Sequence, residues 1–101
     1  MLDGETILSY LSMNKDYLMT KYFIDKIGIV GSFARGDNNE ESDIVLIGYF
    51  NEDAKRRRMF RLYINLQEEL ESHFGRKVDI IVNGKVLLAF QVIVLKEARF
   101  A

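Results

Sequence analysis

The sequence contains no cysteine and no proline, and a single histidine, His73. Without cysteine, a disulfide framework and a thiolate metal site are both excluded. The lack of proline points to no particular mechanism. His73 falls at the end of a helical pattern, where its charge suits the C-terminal dipole, and nothing around it argues for catalysis. An excess of either charge is also missing. Fourteen basic and 15 acidic residues leave a net charge of -1 and a pI of about 5.8. That balance gives no reason to expect broad electrostatic binding to nucleic acid. The longest apolar run, residues 86–95, is broken by Gln91 and is far too short to span a bilayer. It reads as core, with a partner or dimer surface as the competing reading. The opening residues, Met1-Leu2-Asp3-Gly4-Glu5, have no basic region and no apolar stretch of signal-peptide length. A cytoplasmic home fits these absences.

What is present is the balance of a globular protein: 49% apolar and 29% charged residues in a chain of 101. That length suits a single domain spanning residues 1–101 with one core. No internal repeat, low-complexity tract or linker interrupts it.

Apolar residues recur at helical spacing over residues 4–22, at Ile7, Leu8, Leu11, Leu18 and Tyr22. The stretch Ser12 to Asp16 can divide this helix, with Asn14 as a candidate N-cap. Residues 26–31 read as a short buried strand, after which Gly31-Ser32 opens a loop or a helix. Gly36-Asp37-Asn38-Asn39 is turn chemistry. Residues 43–50 form a second strand without period-two alternation, as expected when both faces are covered. Asn51 is a helix N-cap followed by Glu52 and Asp53, and the spacing predicts a helix from there to Phe74. Its stripe is Met59, Tyr63, Leu66, Leu70 and Phe74, and Gly75 closes it. Residues 77–82 are a third strand, Asn83-Gly84 turns the chain, and residues 85–97 read as a last helix. The order α-β-β-α-β-α predicts an α/β (α+β) fold in which helices cover a small mixed sheet.

Three positions in this framework carry chemistry. A glycine at a strand end, Gly31, lets a ligand approach the backbone. A helix starting there offers free N–H groups to a phosphate, and Ser32 adds a hydroxyl. Asp43 lies after ten intervening residues, at the start of the next strand, where it can reach the same pocket. Asp79 lies between Val78 and Ile80, and a carboxylate in such a run is costly to bury unless paired or bound to metal. A surface position on an edge strand is its alternative reading. Two carboxylates beside a phosphate cradle are the oxygen ligands that magnesium uses with substrate phosphates.

Gly31-Ser32-Phe33-Ala34-Arg35-Gly36 through Ser42-Asp43-Ile44-Val45-Leu46 resembles the signature of the MNT-type minimal nucleotidyltransferases, in the DNA polymerase β-like superfamily. Their pattern is Gly-Ser, ten residues, Asp-x-Asp, and a third Asp on a later strand. The resemblance covers nearly the whole chain. It implies that Gly31 and Ser32 hold nucleotide phosphates and that Asp43 binds magnesium. It also implies that Asp79 is the third carboxylate, binding metal or deprotonating the attacking hydroxyl. Arg35 would lie near the phosphates, with a solvated turn as its alternative. Members of this family commonly transfer AMP from ATP to a hydroxyl. Many are antitoxins encoded beside a HEPN-domain RNase toxin, and some adenylylate a tyrosine of that partner.

One position departs from the pattern. Val45 stands where the second Asp belongs, and valine has no oxygen to give a metal. Residues 43 and 45 share a strand face, so the usual carboxylate pair is reduced to one. Removing even an outer partner of a metal ligand typically costs about 10–100-fold, so an impaired enzyme is expected, or a module that acts on a partner by contact alone. Glu40 and Glu41, in the preceding loop, are the conceivable replacement ligands. The run Lys55-Arg56-Arg57-Arg58 sits against the dipole preference of its predicted helix. It reads as a solvated basic face, or as a contact for RNA, nucleotide phosphate or an acidic partner.

Overall fold

A computed structural model of the chain describes residues 1–83 and 94–101. Two helices open it, α1 (Gly4–Met13) and α2 (Lys15–Tyr22), followed by β1 (Ile24–Val30) and the single turn α3 (Ser32–Arg35). Then come β2 (Ile44–Phe50), α4 (Glu52–Arg56), α5 (Met59–Phe74), β3 (Val78–Val82) and a short terminal strand, β4 (Arg99–Phe100). The expected mixed α/β architecture is present. The four strands lie in the order β3-β2-β1-β4. β2 runs antiparallel to β1 and parallel to β3, and β4 is antiparallel to β1.

Period-two alternation explains how the sheet meets the core. Ile27 and Ile29 of β1, Ile44, Leu46 and Phe50 of β2, and Val78 and Ile80 of β3 point to one face. There they pack with Ile7 and Leu11 of α1, Leu18 and Tyr22 of α2, and Leu66 and Leu70 of α5. Val30, Val45, Asp79 and Ile81 belong to the other face, as the register Val30↔Val45↔Asp79 requires. The sequence of β2 hides this alternation because Val45 and Ile47 are apolar too. Ile47 is buried on that second face, whereas Val45 is only half-buried.

The first helical pattern divides where expected, at Asn14. The side chain of Asn14 does not cap α2, however; its amide donates backward to the Tyr10 carbonyl at 2.9 Å. Asp3 is the cap that works in this region, accepting from Thr6 N at 2.8 Å. The predicted helix from Asn51 to Phe74 is two helices, broken at Arg57 and Arg58. Packing explains the break. Ala54 and Leu66 are both fully buried, yet in one continuous helix they would project about 120° apart, at about 100° per residue. The break also relieves the dipole conflict for Lys55 and Arg56, which fall in the last turn of α4, where cations are favoured, although it leaves Arg58 at the N-cap of α5. Asn51 and Gly75 act as predicted: Asn51 accepts from Ala54 N at 3.2 Å, and Gly75 is left-handed at φ 65°.

The last predicted helix lies outside the described residues over 85–93; residues 94–97 are helical. The apolar run 86–95 is likewise outside them up to residue 93. Strand β4 was not anticipated. Two residues carry no readable periodicity, and their pairing with Gly28 and Ile29 is a tertiary contact.

Candidate active site

The Gly31-Ser32 corner is built by backbone geometry. Gly31 ends β1 with φ 74° and ψ -151°, a region essentially reserved for glycine. This lets the chain turn out of the sheet and start α3 at once, with Ala34 N and Arg35 N donating to Gly31 O at 3.0 Å. Five residues after Gly31, Gly36, at φ 86°, ends the turn. Buried Phe33 anchors α3 to the core, and Gly4 of α1 presses against it. A Cβ at Gly4 would come within 2.3 Å of the Phe33 carbonyl oxygen, so α1 and α3 meet through backbone.

Asp43 is held in place by a residue that the sequence reading missed. Arg76, just beyond α5, donates from Nη1 to Asn39 O at 3.1 Å and to Ser42 O at 2.9 Å, and its guanidinium lies 5.5 Å from the Phe33 ring centroid. It therefore ties the loop that carries Asp43 to both α3 and β3. A lone arginine after a glycine has no sequence signature for this role. The start of β3 is fixed in the same way from α5: Gln67 donates to Val78 O at 2.7 Å, and Val78 N donates to Glu71 at 3.0 Å.

Parallel register then sets the arrangement. Ile44 is level with Val78 and Val45 with Asp79, so Asp43 is level with Lys77. On the face opposite the core these residues form a four-cornered patch: Asp43, just before β2, with Val45 inside it, and Lys77, just before β3, with Asp79 inside it. Gly31 abuts it, since a Cβ there would stand 3.9 Å from Val45 Cβ. Asp43 is exposed and Asp79 about half-exposed, and Lys77 Nζ lies 3.9 Å from Asp79 Oδ2. The structure thus gathers Gly31, Val45 and Asp79, with Asp43 at the adjoining corner and Ser32 at the start of α3.

Arg35 was expected near the phosphates, with a solvated turn as its alternative. It is exposed on α3 and already engaged, donating from Nε to Asp37 at 3.1 Å and from Nη1 to both carboxylate oxygens of Glu97 at 3.1 and 3.2 Å. The Asp37 and Glu97 carboxylates raise its pKa above the ordinary arginine value. The replacement ligands considered for Val45, Glu40 and Glu41, sit in the exposed loop. Among the described residues no three acidic or histidine side chains converge as a metal cluster. The donor set, two carboxylates at opposite corners, fits one hard cation shared with substrate phosphates. It does not fit the pair of ions that a two-metal displacement uses.

His73 lies in the last turn of α5, stacked on Tyr10 with ring centroids 3.9 Å apart, remote from this patch in role. A second polar cluster joins the helices. Glu69 of α5 accepts from Tyr17 at 3.0 Å, from Lys21 at 3.1 Å and from the buried Tyr22 hydroxyl. Burial raises the Tyr22 pKa, and the neighbouring Glu69 carboxylate raises it further. Burial also works to raise Glu69, but the donors from Tyr22, Lys21 and Tyr17 outweigh it and hold this carboxyl below its ordinary range.

Comparison with known proteins agrees with this geometry. The nucleotidyltransferase domain family model matches residues 12–101. The chain is 31% identical over 100 residues to a protein adenylyltransferase, MntA, of Thermococcus cleftensis, covering 99% of this chain and 97% of that one. It is 38% identical over 80 residues to a candidate protein adenylyltransferase of Methanocaldococcus jannaschii, covering 79% of this chain and 78% of that one. A solved structure described as a candidate minimal nucleotidyltransferase superposes with a TM-score of 0.77 at 28% identity, covering 97% of this chain and 95% of that one. Two toxin–antitoxin structures share the fold at lower identity. An MntA–HpeT complex gives a TM-score of 0.57 at 17% identity, over 98% of this chain and 72% of that one. A complex with AMP-PNP gives 0.58 at 18%, over 87% and 69%. The chain belongs to the nucleotidyltransferase domain family, with the fold of its minimal members. No helix among the described residues is long and apolar enough to cross a membrane.

Proposed function

We propose that this chain is a single-domain, cytoplasmic nucleotidyltransferase of the antitoxin type. In this reading it binds ATP and Mg2+, and directs AMP to a hydroxyl on a HEPN-type RNase toxin, a tyrosine being the acceptor. Gly31 and Ser32 hold the phosphates at the start of α3. Asp43 and Asp79 hold a single magnesium ion, which when bound would draw charge off the transferring phosphoryl group. Asp79 also accepts the proton of the attacking hydroxyl; its oxygen bonds to the α-phosphorus as pyrophosphate leaves. The observation that supports this reading is the register that sets Val45 level with Asp79, with Gly31 against Val45 and Asp43 immediately before Ile44. The relatives named protein adenylyltransferase supply the reaction class.

A second reading is favoured by one observation, the valine at position 45. With one carboxylate missing, the chain acts as a binding module that neutralises or regulates its partner by contact, and transfer is impaired. Incubating the chain with the co-encoded HEPN-type protein and ATP labelled on the α-phosphate separates the two. Label on the partner supports transfer by the chain as it stands. Label only with the Val45→Asp variant, together with partner binding by the unmodified chain, supports the contact reading. If neither form binds ATP, both the nucleotide site and its assigned residues are wrong.

A further inference from the structure

The four-cornered patch holds a residue that no family signature assigns, Lys77. We infer that the Lys77 ammonium is a binding group for nucleotide phosphate, supplying positive charge where Val45 offers a second metal ion no ligand. The inference rests on the nucleotide-binding reading above and deepens it.

Three observations carry it. The first is placement. Ile44 N donates to Lys77 O at 3.0 Å, and Ile44 pairs with Val78, so Lys77 sits beside Asp43 at the mouth of the β2–β3 pair. Lys77 and Asp79 are two residues apart on one strand direction and share a face; their ion pair shows that the ammonium does lie on the carboxylate side of the patch. The second is availability. At 3.9 Å the contact with Asp79 is too long for a hydrogen bond, and no hydrogen bond from Lys77 Nζ to any described residue is present. With the lysine side chain 63% and the aspartate 49% exposed, such a pair is held weakly. The three donors of the ammonium can therefore turn to a phosphate at little cost.

The third is charge. Three carboxylates with two divalent ions carry one net positive charge toward a triphosphate, and two carboxylates with an ammonium and one divalent ion carry the same. Here two carboxylates and an ammonium leave the patch with one net negative charge, and an apolar side chain fills the fourth corner. A second divalent ion would meet Lys77 as a like charge and Val45 as a corner without oxygen. A phosphate oxygen would meet Lys77 as an opposite charge and Gly31 as open backbone. The arrangement thus replaces a second divalent ion by an ammonium in direct contact with the nucleotide, beside the one ion that Asp43 and Asp79 would hold.

The test is equilibrium binding of ATP to the full chain by calorimetry, once in EDTA and once in excess magnesium. The variants are Lys77→Met, which keeps most of the apolar stem, Lys77→Arg, which keeps the charge, and Lys55→Met as a lysine away from the patch. The unmodified chain is expected to bind ATP more tightly in magnesium than in EDTA, where the two carboxylates face the phosphates unneutralised. Lys77→Met should weaken binding in magnesium by about tenfold or more, the size of a hydrogen bond to a charged group. Lys77→Arg should retain most of the affinity and Lys55→Met all of it. Unchanged binding by Lys77→Met in magnesium overturns the inference while leaving the nucleotide site standing, and so does an equal loss in Lys55→Met. Absence of ATP binding in both buffers overturns the nucleotide reading itself, and the inference with it.

Discussion

Replacing Val45 by aspartate restores the family pattern, and its effect on stability can be worked out in advance. Val45 is half-buried, so losing its contacts costs about 1 kcal/mol, roughly half the value of a fully buried valine. The new carboxylate stands level with Asp79 and two residues from Asp43. At about 5–6 Å in a largely solvated setting each repulsion is about 1 kcal/mol, and attraction from Lys77 cancels about one of the two. The net cost without metal is about 2 kcal/mol. For a chain of this size that lowers the melting temperature by about 8–16 °C. A cation held by three carboxylates reverses the sign: at a hundred times its Kd it returns about 2.7 kcal/mol. Thermal unfolding followed by circular dichroism, in EDTA and in excess magnesium, reads both arms. The variant should melt well below the unmodified chain in EDTA and regain most or all of the loss in magnesium. The unmodified chain should respond weakly. A variant indifferent to magnesium would show that the three corners do not converge on an ion. An equal gain by the unmodified chain would show that Val45 does not limit metal binding.

Two further outcomes follow from the same geometry. Gly31→Ala places a Cβ in adequate space, 3.9 Å from the nearest Val45 atoms, so its cost is conformational. About 1–3 kcal/mol should be lost from the strained backbone alone, and a melting temperature unchanged from the parent refutes the assigned conformation. Glu69→Gln weakens the acceptor of Tyr17, Lys21 and Tyr22 and should cost about 1–3 kcal/mol at neutral pH. Because the folded-state pKa of Glu69 is depressed, its contribution is present above the unfolded carboxylate pKa and is lost as pH falls through the folded value. Denaturant unfolding across that acid range should therefore bring the two proteins together. The raised Tyr22 pKa acts at the other end, its contribution being present below the unfolded tyrosine value and lost as pH rises beyond it. A gap between parent and variant that is independent of pH would refute the cluster's role.

Much of this molecule was legible in the sequence where local chemistry decides the outcome. Asn51 and Gly75 announce helix ends because a side-chain cap and a left-handed residue are one-residue devices. Gly31, Asp43 and Asp79 stood out through spacing and through carboxylates or glycine at strand termini. The break at Arg57 and Arg58 was not legible, because it satisfies two buried faces at once, Ala54 on one helix and Leu66 on the other. Arg76 was silent for a similar reason: it works through loop carbonyls that only the folded chain brings near. Lys77 acquires its interest solely from register, which places it beside a residue 34 positions earlier. Arg35 was legible as a motif position, but its pairing was not, because the Glu97 carboxylate it meets lies 62 residues away.

The alternation along β2 has a consequence for how such a protein changes over time. Ile44 and Leu46 face the core, and Asp43 and Val45 face the patch. A substitution at position 45 thus bears on the patch directly and on the core only through the neighbouring, interleaved positions. Catalysis on this scaffold is separable from architecture at the level of single, interleaved positions. The patch can therefore change along a lineage, one position at a time, while the core residues that alternate with it stay as they are.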